Sequence, residues 1–187
     1  MKIKAQKTRV PGCVELISEK YEDERGSLSR IFDSRIFKDL QLGVDWTEVS
    51  LHHTKRKHTL RGLYVQQGPY SEGKLLKVLK GEMLWVSVDV RAGSDTFGKW
   101  NATVLSEETG NMLAVERGFA HGCVSLTDGV GLLIFSDNFF SAEHGFGIRW
   151  DDPELAIDWR LQDESPYVSE RDLAYPSFEA FCQAFQK

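Results

Sequence analysis

Short apolar runs follow one another from residue 48 to residue 136, each closed by a turn signal, and this spacing constrains the fold more than any other feature of the chain. The turns fall at Gly68-Pro69, Gly93-Ser94, Glu108–Gly110, Arg117-Gly118 and Asp128-Gly129. Between them, strands are expected at Glu48–His53, Thr59–Gln66, Lys74–Lys80, Met83–Asp89, Trp100–Leu105, Asn111–Val115, Ala120–Leu126 and Gly129–Ser136. Gly81-Glu82 reads as the two-residue turn of a hairpin joining Lys74–Lys80 to Met83–Asp89. Many short strands at such spacing point to an all-β sandwich or barrel. Leu75, Leu76, Val78 and Leu79 put apolar groups on both faces of one strand, which suits a core on one side and a pocket or a partner on the other.

Helical signals are few. Ser177 follows Pro176 and is placed to cap a C-terminal helix whose Phe178, Phe181 and Phe185 share a face, with Glu179 in the first turn. That phenylalanine stripe reads as packing against a core. A shorter helix is expected near Ser34–Leu40. At 187 residues the chain has the size of one domain, and no repeat, low-complexity tract or linker divides it.

Charge narrows the range of partners. Lys and Arg total 23 against 28 Asp and Glu, a net charge of -5, which disfavours broad nucleic-acid binding but leaves room for a small basic pocket. The apolar stretches are shorter than the ~20 residues of a membrane span. The N-terminal residues show no apolar signal-peptide core. Three widely spaced cysteines, Cys13, Cys123 and Cys182, form no metal or redox motif and read as small buried thiols in a reducing, cytoplasmic setting.

Five histidines, His52, His53, His58, His121 and His144, lack the spacing of a metal cluster, and Lys55-Arg56-Lys57 breaks the run between His52 and His58. These side chains read as solvated or hydrogen-bonded. Basic groups inside apolar strands carry more information. Arg61 lies within Thr59–Gln66, Lys74 opens the next strand, and His121 follows Gly118-Phe-Ala120. A buried basic group needs an anionic partner or a ligand. Arg61, Lys74 and His121 are therefore candidates to converge on a phosphate or a developing oxyanion, the alternative being strand-end side chains that reach solvent. Arg61 and Tyr64 have opposite strand parity, so facing one pocket together would require a bulge near Gly62.

Nine fragments occur in order between residues 23 and 172: Asp23-Glu-Arg-Gly26, Leu60-Arg-Gly-Leu63, Gly73-Lys74, Val88-Asp-Val-Arg91, Thr96-Phe-Gly-Lys-Trp100, Arg117-Gly-Phe-Ala-His-Gly122, Ile148-Arg-Trp-Asp-Asp-Pro153, Ile157-Asp-Trp159 and Ser169-Glu-Arg-Asp172. Together they resemble the dTDP-4-dehydrorhamnose 3,5-epimerase family. The resemblance implies a cupin-type jelly-roll barrel with a short C-terminal helix, as a single domain over 1–187. Its core would span about 45–160, with the N-terminal segment and the helix as dimer or edge cover. It also implies a homodimer, a nucleotide-sugar ligand, no cofactor and no metal. The setting implied is deoxysugar and O-antigen-type polysaccharide biosynthesis. The chemistry would be proton abstraction next to the ketone of a 4-keto-6-deoxy sugar: a histidine oriented by an aspartate takes the proton, a lysine holds the enolate oxygen, and a tyrosine on the opposite face returns a proton.

Two positions depart from that pattern. Tyr64 stands where the family's basic histidine belongs, and Ile134 stands where its acidic tyrosine belongs. The remaining positions are retained. The resemblance makes Lys74 the oxyanion stabiliser, His121 a pocket residue, Asp172 the orienting carboxylate and Tyr64 or His121 the proton carrier. It makes Arg25, Arg61, Gln66 and Arg171 ligand contacts, with Phe139 or Phe140 stacking on the base. Lys74 and Arg61 are expected to lower the pKa of Tyr64. A single-carbon epimerase or isomerase fits this set; the alternative is a catalytically inactive nucleotide-sugar-binding homologue or partner subunit.

Overall fold

Residues 74–89 are apolar on both faces, and the two strands they form do not pair with each other. In the computed structural model, which describes all residues except 44, 186 and 187, Lys74–Lys80 (β7) and Glu82–Asp89 (β8) belong to different sheets. The expected hairpin is instead a corner. Gly81, at φ 72°, carries the chain from one sheet to the other, and a Cβ there would sit 2.5 Å from Thr127 Oγ1. The physical reason is burial: a strand apolar on both sides belongs inside a sheet, with neighbours at each edge and cover on each face.

The remaining elements are β1 (Ile3–Lys7), β2 (Cys13–Ser18), β3 (Lys20–Asp23), β4 (Gly26–Ser29), α1 (Ser34–Asp39), β5 (Glu48–Thr54), β6 (Leu60–Gln66), β9 (Trp100–Ser106), β10 (Met112–Val115), β11 (Phe119–Ser125), β12 (Val130–Ser136), β13 (Gly145–Gly147), α2 (Glu170–Leu173) and α3 (Phe178–Phe185). One sheet runs β1-β2-β10-β7-β12-β5 and the other β13-β6-β11-β8-β9, with every named pair antiparallel. β3 and β4 form a separate ribbon. This is the jelly roll that the strand spacing and the family resemblance predict. The N-terminal segment is more than cover, because β2 pairs with β10 within the six-stranded sheet.

Between the sheets, Leu76, Val78 and Leu132 meet Met83, Trp85 and Leu105 and fill one end of the barrel. α3 and the segment around Trp159 close the outer face of the five-stranded sheet, with Phe178 and Phe181 buried against Leu84, Val86 and Val124. Ser177 caps this helix as expected, its Oγ accepting from Ala180 N at 3.2 Å. Phe37 of α1 covers the outer face of the six-stranded sheet over Leu16, Leu75 and Met112. Val49 and Leu51 on edge strand β5 stay exposed on that same outer side. The end of the barrel left unfilled by aliphatic side chains is the cavity.

Candidate active site

The cavity holds about 610 Å³ and is walled by both sheets. β6 supplies the basic and phenolic groups of one wall. Its pairing with β11 slips between Arg61↔Cys123 and Tyr64↔His121, so one extra residue bulges out of β6. The slip lets Arg61 and Tyr64, of opposite parity, line one cavity. Gly62 sits at the bulge with φ 103°, and a Cβ there would lie 2.6 Å from the His121 carbonyl oxygen. Only glycine fits.

Arg61 Nε is buried and has no hydrogen-bond partner within the described residues. An orphaned buried guanidinium N–H needs an acceptor from outside the chain, and the cavity is where one can enter. Lys74 projects from the start of β7, donates to Ser136 Oγ at 3.2 Å and pairs with Glu72 at 2.8 Å. His121 stacks on Trp85 with ring centroids 5.4 Å apart. Burial, and then the charge of Lys74, holds this imidazole well below the ordinary histidine range, so it is neutral at pH 7.

Asp172 is buried in α2, which Ser169 caps by accepting from Asp172 N at 3.2 Å. Its Oδ2 accepts from Tyr64 Oη at 2.8 Å. Burial, then this hydrogen bond, raises the Tyr64 pKa above that of an ordinary phenol, so the expected lowering by Lys74 and Arg61 does not occur. Arg171 lies over the Tyr64 ring at 5.4 Å and donates from Nε to Tyr175 Oη at 2.8 Å.

Tyr64, Lys74, His121, Arg61, Gln66, Phe140 and Arg171 all border the cavity, and Ile134 faces it from the sheet opposite Tyr64. Three of the expected ligand contacts are placed more closely by the structure. Gln66 donates to the carbonyls of Tyr70 and Phe139 at 3.2 and 3.1 Å and accepts from Ser141 N at 2.6 Å, so its amide holds the rim loop. Phe140, not Phe139, borders the cavity. Arg25 stands on the exposed β3–β4 turn, bound to Asp23, and borders no part of its own cavity. The ribbon that carries it is a separate two-stranded sheet, exposed along its length.

Among the lining residues that sequence reasoning missed, Glu48, His52 and Tyr175 bear on the chemistry. Glu48 and His52 face inward from β5, although His52 read as a solvated side chain. Tyr175 packs where a Cβ on Gly147 would collide with its ring, so the Gly145-Phe-Gly147 run was the signal for a side chain arriving from elsewhere. Among the described residues no group of three or more His, Cys, Asp or Glu is arranged to hold a metal ion, and no helix is long and apolar enough to cross a membrane.

With the site in view, comparison with known proteins is decisive. The family model described as dTDP-4-dehydrorhamnose 3,5-epimerase matches residues 7–180. The chain belongs to this family. The epimerase of Shigella flexneri is 36% identical over 168 residues, 89% of this chain and 91% of the relative. The crystal structure of the Elizabethkingia anophelis epimerase superposes with a TM-score of 0.91 at 32% identity, covering 95% of this chain and 97% of that one. A Legionella pneumophila epimerase in complex with dTDP-4-keto-L-rhamnose gives 0.90 at 31% identity, covering 95% and 94%.

Proposed function

We propose that this protein is an epimerase of a dTDP-linked 4-keto-6-deoxy sugar that mobilises the proton at one carbon next to the ketone. The observation that carries the reading is the orphaned Arg61 Nε, buried in the same cavity as Lys74. Arg61 suits a diphosphate oxygen and Lys74 a ketone oxygen that becomes an enolate. Phe140, 70% exposed at the rim, suits stacking on the nucleobase. Tyr64 stays protonated beside Asp172 and serves as a donor rather than a tyrosinate base. Family membership and the retained enolate site support an enzyme over a non-catalytic carrier.

The working form is a homodimer. Edge strand β5 exposes Val49 and Leu51, and the β3–β4 ribbon exposes Tyr21 and Leu28. A second copy that covered them would give the ribbon's Arg25 a phosphate to meet across the interface. The three free thiols suit a cytoplasmic setting.

Proton NMR in D₂O with a panel of 4-keto-6-deoxy nucleotide sugars tests this reading. Deuterium entering C3 or C5 of a dTDP-linked member is the expected result. A ligand that binds and never exchanges would return the protein to a carrier role.

A further inference from the structure

The cavity wall formed by the six-stranded sheet carries a histidine that the chemistry above does not use. His52 lines the cavity from β5 together with Ser50 and Glu48. β5 pairs with β12 so that His52 is opposite Leu132 and Ser50 is opposite Ile134. His52 and Ile134 are therefore diagonal neighbours on one face, a separation of roughly 7–8 Å that long side chains span. An imidazole thus stands beside the position where the family pattern has a phenol.

Several other acid–base groups of the cavity are engaged. Tyr64 donates to Asp172, and Glu72 pairs with Lys74. Glu48 Oε2 accepts from Phe140 N at 3.1 Å, and His121, stacked on Trp85, stands on the opposite, five-stranded sheet. No hydrogen bond or ion pair among the described residues occupies the His52 ring.

Resting on the function proposed above, we infer that His52 is the general base, taking the proton from the side of the sugar that faces the six-stranded sheet. The C–H bond next to the ketone breaks and its electron pair forms the C=C bond of an enolate. The C4 oxygen takes the negative charge beside Lys74, and the proton passes to an imidazole nitrogen of His52. On the opposite wall, Tyr175 accepts from Arg171, which leaves its own phenolic hydrogen free to protonate the carbon from the other face. Imidazolium and phenolate then reset through water. Relative to the family pattern, the imidazole stands on the six-stranded sheet and the phenol comes from the segment after α2. Partial burial, then Arg61, then Lys74 hold the His52 imidazole below the ordinary histidine range, so it is neutral and able to accept a proton at pH 7.

The test is His52→Gln, read by solvent deuterium entry into dTDP-4-keto-6-deoxyglucose, with dTDP affinity measured by calorimetry. His52 is exposed and holds no buried partner, so the variant folds as the parent does, which a thermal melt checks. Exchange should fall by about 10²–10⁴-fold while dTDP affinity stays within about threefold. Exchange within threefold of the parent overturns the assignment. So does a parallel loss of dTDP affinity, which would make His52 a ligand contact. If the parent exchanges no proton of any 4-keto sugar nucleotide, the functional reading fails instead, so the two failures are distinguishable.

Discussion

Tyr64 Oη lies 2.8 Å from Oδ2 of Asp172, so the carboxylate that would orient an imidazole in the family pattern holds a phenol here. In the proposed site this pair takes the position of the proton carrier with a different chemistry. An imidazole held this way can take a proton near neutral pH. A phenol whose pKa is raised by burial and by the adjacent carboxylate keeps its own. In the proposed mechanism the proton is therefore taken elsewhere in the cavity, at the wall that carries His52.

Tyr64→Phe removes the phenolic donor and leaves Asp172, 2% exposed, with two long contacts, from Gly62 N at 3.4 Å and from Arg171 Nε at 3.8 Å. The unsatisfied carboxylate should cost about 1–3 kcal/mol of stability. Urea unfolding of the two proteins at pH 7 measures it. A change under about 0.5 kcal/mol would mean that water replaces the phenol at no cost.

Arg61→Ala should weaken dTDP binding by about tenfold or more, because one desolvated charge-assisted hydrogen bond is worth roughly 1.5–3 kcal/mol. EDTA should leave the same titration unchanged. An indifferent variant would show that the orphaned Nε does not face the diphosphate.

Strand positions between residues 48 and 136 were legible because turn residues bracket each apolar run. Strand partners were not. Lys74–Lys80 and Met83–Asp89 both announce burial, and burial does not say which sheet a strand enters. β1 escaped notice because only Ile3 of its residues is buried; it is held by its ladder to β2. In the site, Arg61, Lys74, Tyr64 and Asp172 were readable from local motifs, and the bulge followed from the parity of Arg61 and Tyr64. His52 and Tyr175 were not. His52 depends on which face of an edge strand turns inward, and Tyr175 on a loop that returns from α2 into the space above Gly147. Arg25 lies outside its own cavity, and a motif could not show this, because it records residue type and order and not where the ribbon carrying it folds.

The pH dependence has a defined sign. Burial, then Lys74, depresses His121, and partial burial, then Arg61 and Lys74, depresses His52. A base with a depressed pKa stays unprotonated to lower pH. The acid limb of kcat/KM should therefore fall below the ordinary histidine value of 6.5, and the rate should be flat from there to about pH 8. Half-loss of kcat/KM at or above pH 6.5 would contradict the depressed imidazoles.

Deuterium at C3 and at C5 of dTDP-4-keto-6-deoxyglucose, followed in parallel for the parent and for Tyr64→His combined with Ile134→Tyr, tests the central claim most directly. The claim is that the cavity keeps the family's binding and enolate groups while its proton carriers are replaced. The parent should label one carbon only. The double variant places an imidazole within reach of Asp172 and a phenol on the facing sheet, and should label both. Each restored group should contribute within the ~10²–10⁴-fold range of a positioned acid or base. Equal labelling of C3 and C5 by the parent would contradict the account, because it would mean that Tyr64 and Ile134 leave the family's full 3,5-epimerisation intact.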